Sequence, residues 1–128
     1  MSRYFLFLLF LLVSGCFGRP QDPGPSGNPS GPPRIVEVNM TANSSSFDPG
    51  MLSVKKGDHL RIRITVPADD VRHGFALSAF GISEELPPGQ TTLVEFVADK
   101  AGAFTYMCNL PCGPGHYSMK GTLTVEEG

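Results

Sequence analysis

Leu60-Arg61-Ile62-Arg63-Ile64-Thr65-Val66 alternates apolar and polar residues without a break, which is the period of a strand with one buried and one wet face. A tight turn, Lys55-Lys56-Gly57-Asp58, feeds it, and the two-residue rhythm continues in both directions. Upstream, Ile35, Val36 and Val38 begin a strand, and Leu52 with Val54 forms another after the turn at Phe47-Asp48-Pro49-Gly50. Downstream, strands are expected over residues 74–77, 91–98, 103–108 and 121–126, divided by Pro/Gly turns such as Pro87-Pro88-Gly89. Helix signals are absent from this stretch. Short strands at near-regular spacing predict an all-β, antiparallel or mixed β-sandwich with Greek-key connections. Residues 34–128 suffice for one two-sheet core and leave no length for a second domain.

The chain before that domain reads differently. Arg3 opens an apolar run from Tyr4 to Val13, which closes on Val13-Ser14-Gly15-Cys16. Residues 1–15 have the order of an export signal. The run is shorter than the roughly 20 apolar residues that a membrane span requires. Its ending resembles a bacterial lipobox, which implies cleavage before Cys16 and lipidation of that cysteine; an ordinary signal with an incidental cysteine is the alternative. Three cysteines are an odd number for an exported chain, and a lipidated Cys16 leaves Cys108 and Cys112 as a pair. Residues 16–33 then form the lipidated cysteine and a tether, with prolines at Pro20, Pro23, Pro25, Pro29, Pro32 and Pro33. Extended as polyproline II, such a tether reaches roughly 50 Å. The expected location is exported and lipid-anchored to a bacterial membrane, with the domain facing the periplasm or the cell exterior. Ten Lys and Arg against twelve Asp and Glu give a net charge of −2 with no basic run, so nothing points to nucleic acid.

Chemistry is concentrated near the C-terminus. His73 is followed much later by Cys108-Asn109-Leu110-Pro111-Cys112-Gly113-Pro114-Gly115-His116-Tyr117-Ser118-Met119. Two thiolates, two imidazoles and a thioether form a donor set that suits Cu(I) and Cu(II) and that hard cations disfavour. Cys108 is expected to end one strand and Met119 to precede the next, which clamps the loop between neighbouring strands. Each residue also has a plainer reading. Cys-x3-Cys in an exported protein can be a disulfide, a lone Met usually packs in a core, and a lone His usually lies on the surface. Asp70, three residues before His73, is a candidate anchor for the ligand loops or a turn residue. His59 carries no partner pattern and reads as solvated.

Asp70-Val71-Arg72-His73-Gly74-Phe75, together with Cys108-x3-Cys112-Gly-x-Gly-His116-x2-Met119, resembles the dinuclear CuA domain of cytochrome c oxidase subunit II. The resemblance covers residues 34–128, including Phe47-x-Pro49, Lys56-Gly57-Asp58 and Ala101-Gly102. It implies a cupredoxin-like fold and one-electron transfer. By matching position, both sulfurs of Cys108 and Cys112 would bridge two coppers, and His73 and His116 would each cap one. Met119 would be a weak axial ligand and the Leu110 carbonyl the other. The chain departs from that family in having a lipobox where transmembrane helices are usual, no tryptophan, and Leu110 where a glutamate is frequent. Pro111 lacks an N–H and biases Leu110 towards extended backbone.

Three functions follow from these residues. The first is a dinuclear copper electron carrier that exchanges single electrons with a partner such as cytochrome c or a membrane oxidase. The second is a mononuclear blue-copper carrier using His73, Cys112, His116 and Met119, with Cys108 as a spectator. The third is membrane-tethered copper delivery to an assembling oxidase through Cys108, Cys112 and Met119. Delivery needs an exposed, exchangeable site, whereas a carrier needs a buried, rigid one. A protein-filled coordination shell leaves no position for a small-molecule substrate, so any enzymatic role is expected to come from a larger complex.

Overall fold

Alternation along the sequence becomes two faces in space. A computed structural model describes residues 32–128; the expected export signal, Cys16 and the tether up to residue 31 lie outside the described residues. In β4, His59–Thr65, the side chains of Leu60, Ile62 and Ile64 are buried. Arg61 and Arg63 turn outward and pair with Glu37 and Glu95. His59 is half-buried at the start of this strand.

Around it stand β1, Ile35–Asn43, β2, Ser46–Asp48, and β7, Thr91–Val97, in the sheet order β2-β1-β4-β7. A second sheet holds β3, Met51–Lys55, β5, His73–Leu77, β6, Ile82–Leu86, β8, Gly102–Met107, and β9, Lys120–Glu126. Its order is β3-β9-β8-β5-β6. Pairing is mixed: β1 with β4 and β3 with β9 are parallel, and the other pairs are antiparallel. Among the described residues the only helical pieces are 3-10 turns at Ser78–Phe80 and His116–Ser118. The fold is an all-β sandwich.

Two strands were not legible in the alternation. Ser46–Asp48 pairs with β1 where a turn was expected to begin, because Phe47 is drawn into the core. Ile82–Leu86 has apolar residues only at its ends and three exposed residues between them. It needs no alternation because it is an edge strand, hydrogen-bonded only to β5.

The interior is filled from both sheets. Phe47, Phe75 and Tyr106 meet with ring centroids 5.4–5.6 Å apart. Tyr106 donates its hydroxyl proton to the Pro49 carbonyl at 2.9 Å, so this buried aromatic keeps its polar tip satisfied. Each fully buried side chain of this size contributes about 1.5–3 kcal/mol through removal from water.

This frame positions one end of the molecule. β8 lies between β5 and β9 and runs antiparallel to β5, with Met107 opposite Ala76. The chain leaving β8 therefore runs back along β5, so that Cys108 and Asn109 lie beside Gly74 near the start of β5.

Candidate metal centre

His73 begins β5 and is completely buried. A buried imidazole needs partners for both ring nitrogens. Its Nε2 lies 3.2 Å from Asp70 Oδ1, and its Nδ1 is buried with no partner. The carboxylate accepts, so Nε2 carries the proton and Nδ1 presents a free lone pair to the interior. Such an atom is what a metal ligand leaves when the metal is subtracted.

Asp70 is suited to the task. Burial pushes its carboxyl up, but hydrogen bonds from the Val71 N–H, the Ser44 hydroxyl and His73 outweigh that and hold it below the usual value. It is therefore an anionic acceptor at neutral pH.

The loop from β8 to β9 brings the other donors. The Cys108 N–H donates to the Met119 carbonyl at 3.0 Å, closing the loop at its base. At its far side the chain tightens into the 3-10 turn, where the Met119 N–H reaches the His116 carbonyl at 3.2 Å. Gly113 has φ +113°, a conformation that a side chain would strain, and it reverses the chain after Cys112. The loop is folded by its own backbone.

Within this frame Cys108 Sγ and Cys112 Sγ are 3.4 Å apart, and both thiols are free. The disulfide reading does not describe this structure. Cys112 Sγ lies 3.5 Å from His116 Nδ1 and 3.9 Å from Met119 Sδ. Cys108 Sγ lies 3.2 Å from the Leu110 carbonyl oxygen. Donor atoms of His73, Cys108 and Cys112 all fall within 4.8 Å of one another. The six residues singled out in the sequence thus converge at one end of the sandwich. Cys108, Cys112 and Met119 are buried, while Leu110 and His116 are half-buried. Met119 packs in the core as well as facing the donor cluster.

Electrostatics favour the neutral thiol at Cys112 before any metal arrives. Burial first, then the hydrogen bond and charge interaction with Cys108, push Cys112 up to about 11. Two soft sulfur donors and a free imidazole nitrogen, all buried, match a thiophilic transition metal.

Several supporting residues escaped the sequence reading. The Gly74 N–H points at Cys108 Sγ at 3.4 Å, and any side chain at Gly74 would overlap Asn109. Asn109 Nδ2 donates to Ser83 Oγ at 2.9 Å, pinning the ligand loop to β6. Ser44 Oγ donates to Asp70 Oδ1 at 3.0 Å. Gly74 stands in the Asp70–Phe75 stretch that the sequence singles out, but its closeness to Cys108 and Asn109, like the other contacts, is made across strands.

Residues 6–125 match the family of cupredoxin-like domains. The chain is similar to nitrous-oxide reductase of Stutzerimonas stutzeri, with 39% identity over 93 residues, 71% of this chain and 15% of that protein. It thus spans only a small part of that relative's length. It is also similar to cytochrome c oxidase subunit 2 of Thermus thermophilus, at 33% identity over 95 residues, 74% of this chain and 69% of that protein. Among solved structures, the periplasmic domain of subunit II of cytochrome oxidase from Bradyrhizobium japonicum superposes with a TM-score of 0.63. The identity there is 24%, with 75% of this chain and 87% of that one covered, and the likeness is one of fold.

Proposed function

The chain belongs to the family of cupredoxin-like domains, and on that premise we propose that it is a copper-binding electron-transfer protein with a dinuclear, thiolate-bridged centre. The observation that carries this reading is the pair of free, buried thiols 3.4 Å apart beside a buried imidazole nitrogen without a partner. The ligands would be His73, Cys108, Cys112, His116 and Met119, with the Leu110 carbonyl as a sixth donor. Bound copper supplies one-electron exchange between Cu(I) and Cu(II).

The protein's own part is to hold donors still. Asp70 fixes the His73 ring and its tautomer, the Cys108–Met119 backbone bond closes the loop, and the fold buries His73, Cys108, Cys112 and Met119. Donors that cannot relax keep the two oxidation states in one geometry, which lowers the reorganisation that each transfer requires. Cys112 gives up its proton on loading, since a thiolate and not a thiol is the ligand.

The two other copper readings fit the site less well. A mononuclear blue-copper site would leave Cys108 a spectator, yet its sulfur sits inside the cluster with His73 and Cys112. Copper delivery favours an exposed dithiol, yet Cys108, Cys112 and Met119 are buried. The partner in this reading is a respiratory redox protein such as cytochrome c or a membrane oxidase, reached from a lipid anchor at Cys16 across the residue 16–33 tether on the periplasmic side.

Copper content and an EPR spectrum of the oxidised full chain test the proposal. About two coppers per chain sharing one delocalised spin is the expected result. Replacement of Cys108 by Ser should abolish that signal. A Cys108→Ser protein that keeps the wild-type copper content and spectrum would sink the dinuclear reading in favour of a blue-copper site.

A further inference from the structure

The turn between β1 and β2 contributes no donor, yet it touches both halves of the donor set. It consists of Ser44 and Ser45, closed by the hairpin pairing of Asn43 with Ser46. Asn43 Oδ1 accepts from the Ser46 hydroxyl at 3.0 Å and from the Ser45 N–H at 3.4 Å, so the turn's shape is set by its own hairpin. It belongs to the four-stranded sheet, whereas His73 and the ligand loop belong to the other sheet. The turn therefore crosses from one layer of the sandwich to the other at the end where the donors gather.

Its two contacts are of different kinds. Through its side chain, Ser44 donates to Asp70 Oδ1 at 3.0 Å, and the same oxygen accepts the His73 Nε2 proton at 3.2 Å. Through its backbone, the turn packs on Gly115, the residue before His116. A Cβ built at Gly115 would stand 2.5 Å from the Ser44 carbonyl oxygen and 2.8 Å from the Ser45 Cβ. Only a residue without a side chain lets the ligand loop lie so close. One imidazole is thus oriented through a hydrogen-bonded chain, and the other is supported by direct contact.

We propose that Ser44 and Ser45 form a positioning bracket that fixes His73 and His116 relative to each other, with Gly115 as the seat of its second arm. The expectation for the loaded centre rests on the copper reading above; the expectation for the His73 hydrogen bond does not. Donors held to a fraction of an ångström by supporting contacts are what a tuned metal site needs. A solvent-exposed serine replaced by alanine ordinarily changes stability little, so a shift at the imidazoles without a shift in melting temperature separates positioning from general support.

Three variants of the full chain test this: Ser44→Ala, Ser44→Thr and Gly115→Ala. In the metal-free protein, NMR reads solvent exchange of the His73 Nε2 proton. In the copper-loaded protein, pulsed EPR reads the couplings of each imidazole, and voltammetry reads the potential. Ser44→Ala is expected to speed the exchange several-fold and to alter the His73 coupling and the potential at unchanged melting temperature. Ser44→Thr, which keeps the hydroxyl, is expected to restore all three. Gly115→Ala, whose added methyl presses on Ser44 and Ser45, is expected to alter the His116 coupling and to change the His73 exchange less than Ser44→Ala does, because the Ser44 hydroxyl is kept. Wild-type exchange in Ser44→Ala, failure of threonine to rescue, or an unchanged His116 coupling in Gly115→Ala would each overturn the bracket. A wild-type chain that takes up no copper defeats the proposed function alone, because the metal-free His73 exchange still decides the role of Ser44.

Discussion

Cys112 keeps its proton well above neutral pH. Burial first, and then the neighbouring Cys108, push it up to about 11. Its protonated form therefore dominates the metal-free protein, and loading must displace that proton. The apparent affinity for a thiophilic metal should rise with pH at every step below about 11, by about tenfold per unit for one displaced proton. Competition against a chelator at stepped pH measures this, and a pH-independent affinity would show that the Cys112 thiolate is not a ligand. The candidate donors stand out by residue type and spacing, because soft donors clustered at such intervals have few other uses. Ser44, Asn109 and Ser83 were not legible. Their types are common in any loop, and only the approach of distant strands gives them a partner.

Strands and turns show the same division one level up. Tyr106 in β8 lies opposite Gly121 in β9, and a Cβ at Gly121 would overlap the Tyr106 ring. The Gly121→Ala protein is expected to lose about 1–3 kcal/mol through overpacking, measured by urea unfolding, and the loss should shrink when Tyr106 is also reduced to Leu. At the β3–β4 turn, Asp58 receives Arg34 Nε at 2.9 Å and the Lys55 N–H at 2.8 Å. The hydrogen bond from Arg34 is the main cause that holds the Asp58 carboxyl below 3.8, against burial, which pushes it up. A carboxyl lowered in the folded state stabilises it above pH 3.8, and that contribution fades as pH falls through the folded-state value. Acid unfolding of Asp58→Asn should show a smaller dependence on pH in that range, with about 1–3 kcal/mol lost at neutral pH from the broken bonds. The turn at Lys55–Asp58 was plain in the sequence, since Gly57 with φ +94° is a local requirement. The Arg34 partner, 24 positions away, was not.

For the whole molecule, the sandwich gathers its chemistry at one end, while the residues proposed to attach it to a membrane lie outside the described body. If Cys16 carries a lipid, the Cys16→Ser chain should move from the membrane to the soluble fraction, read by fractionation; unchanged membrane association would refute the anchor. The alternation of Leu60, Ile62 and Ile64, the Pro/Gly turns and the spacing of Cys108, Cys112, His116 and Met119 by themselves determined an all-β class and a copper-type set of candidate donors, because these depend on neighbours along the chain. The tertiary structure alone decided which strands pair in parallel, that Ile82–Leu86 closes a sheet edge, and that His73 Nδ1 is left free beside two unoxidised thiols. Those outcomes depend on groups distant in sequence, whose meeting is set by the packing of two sheets and not by the local preference of any residue.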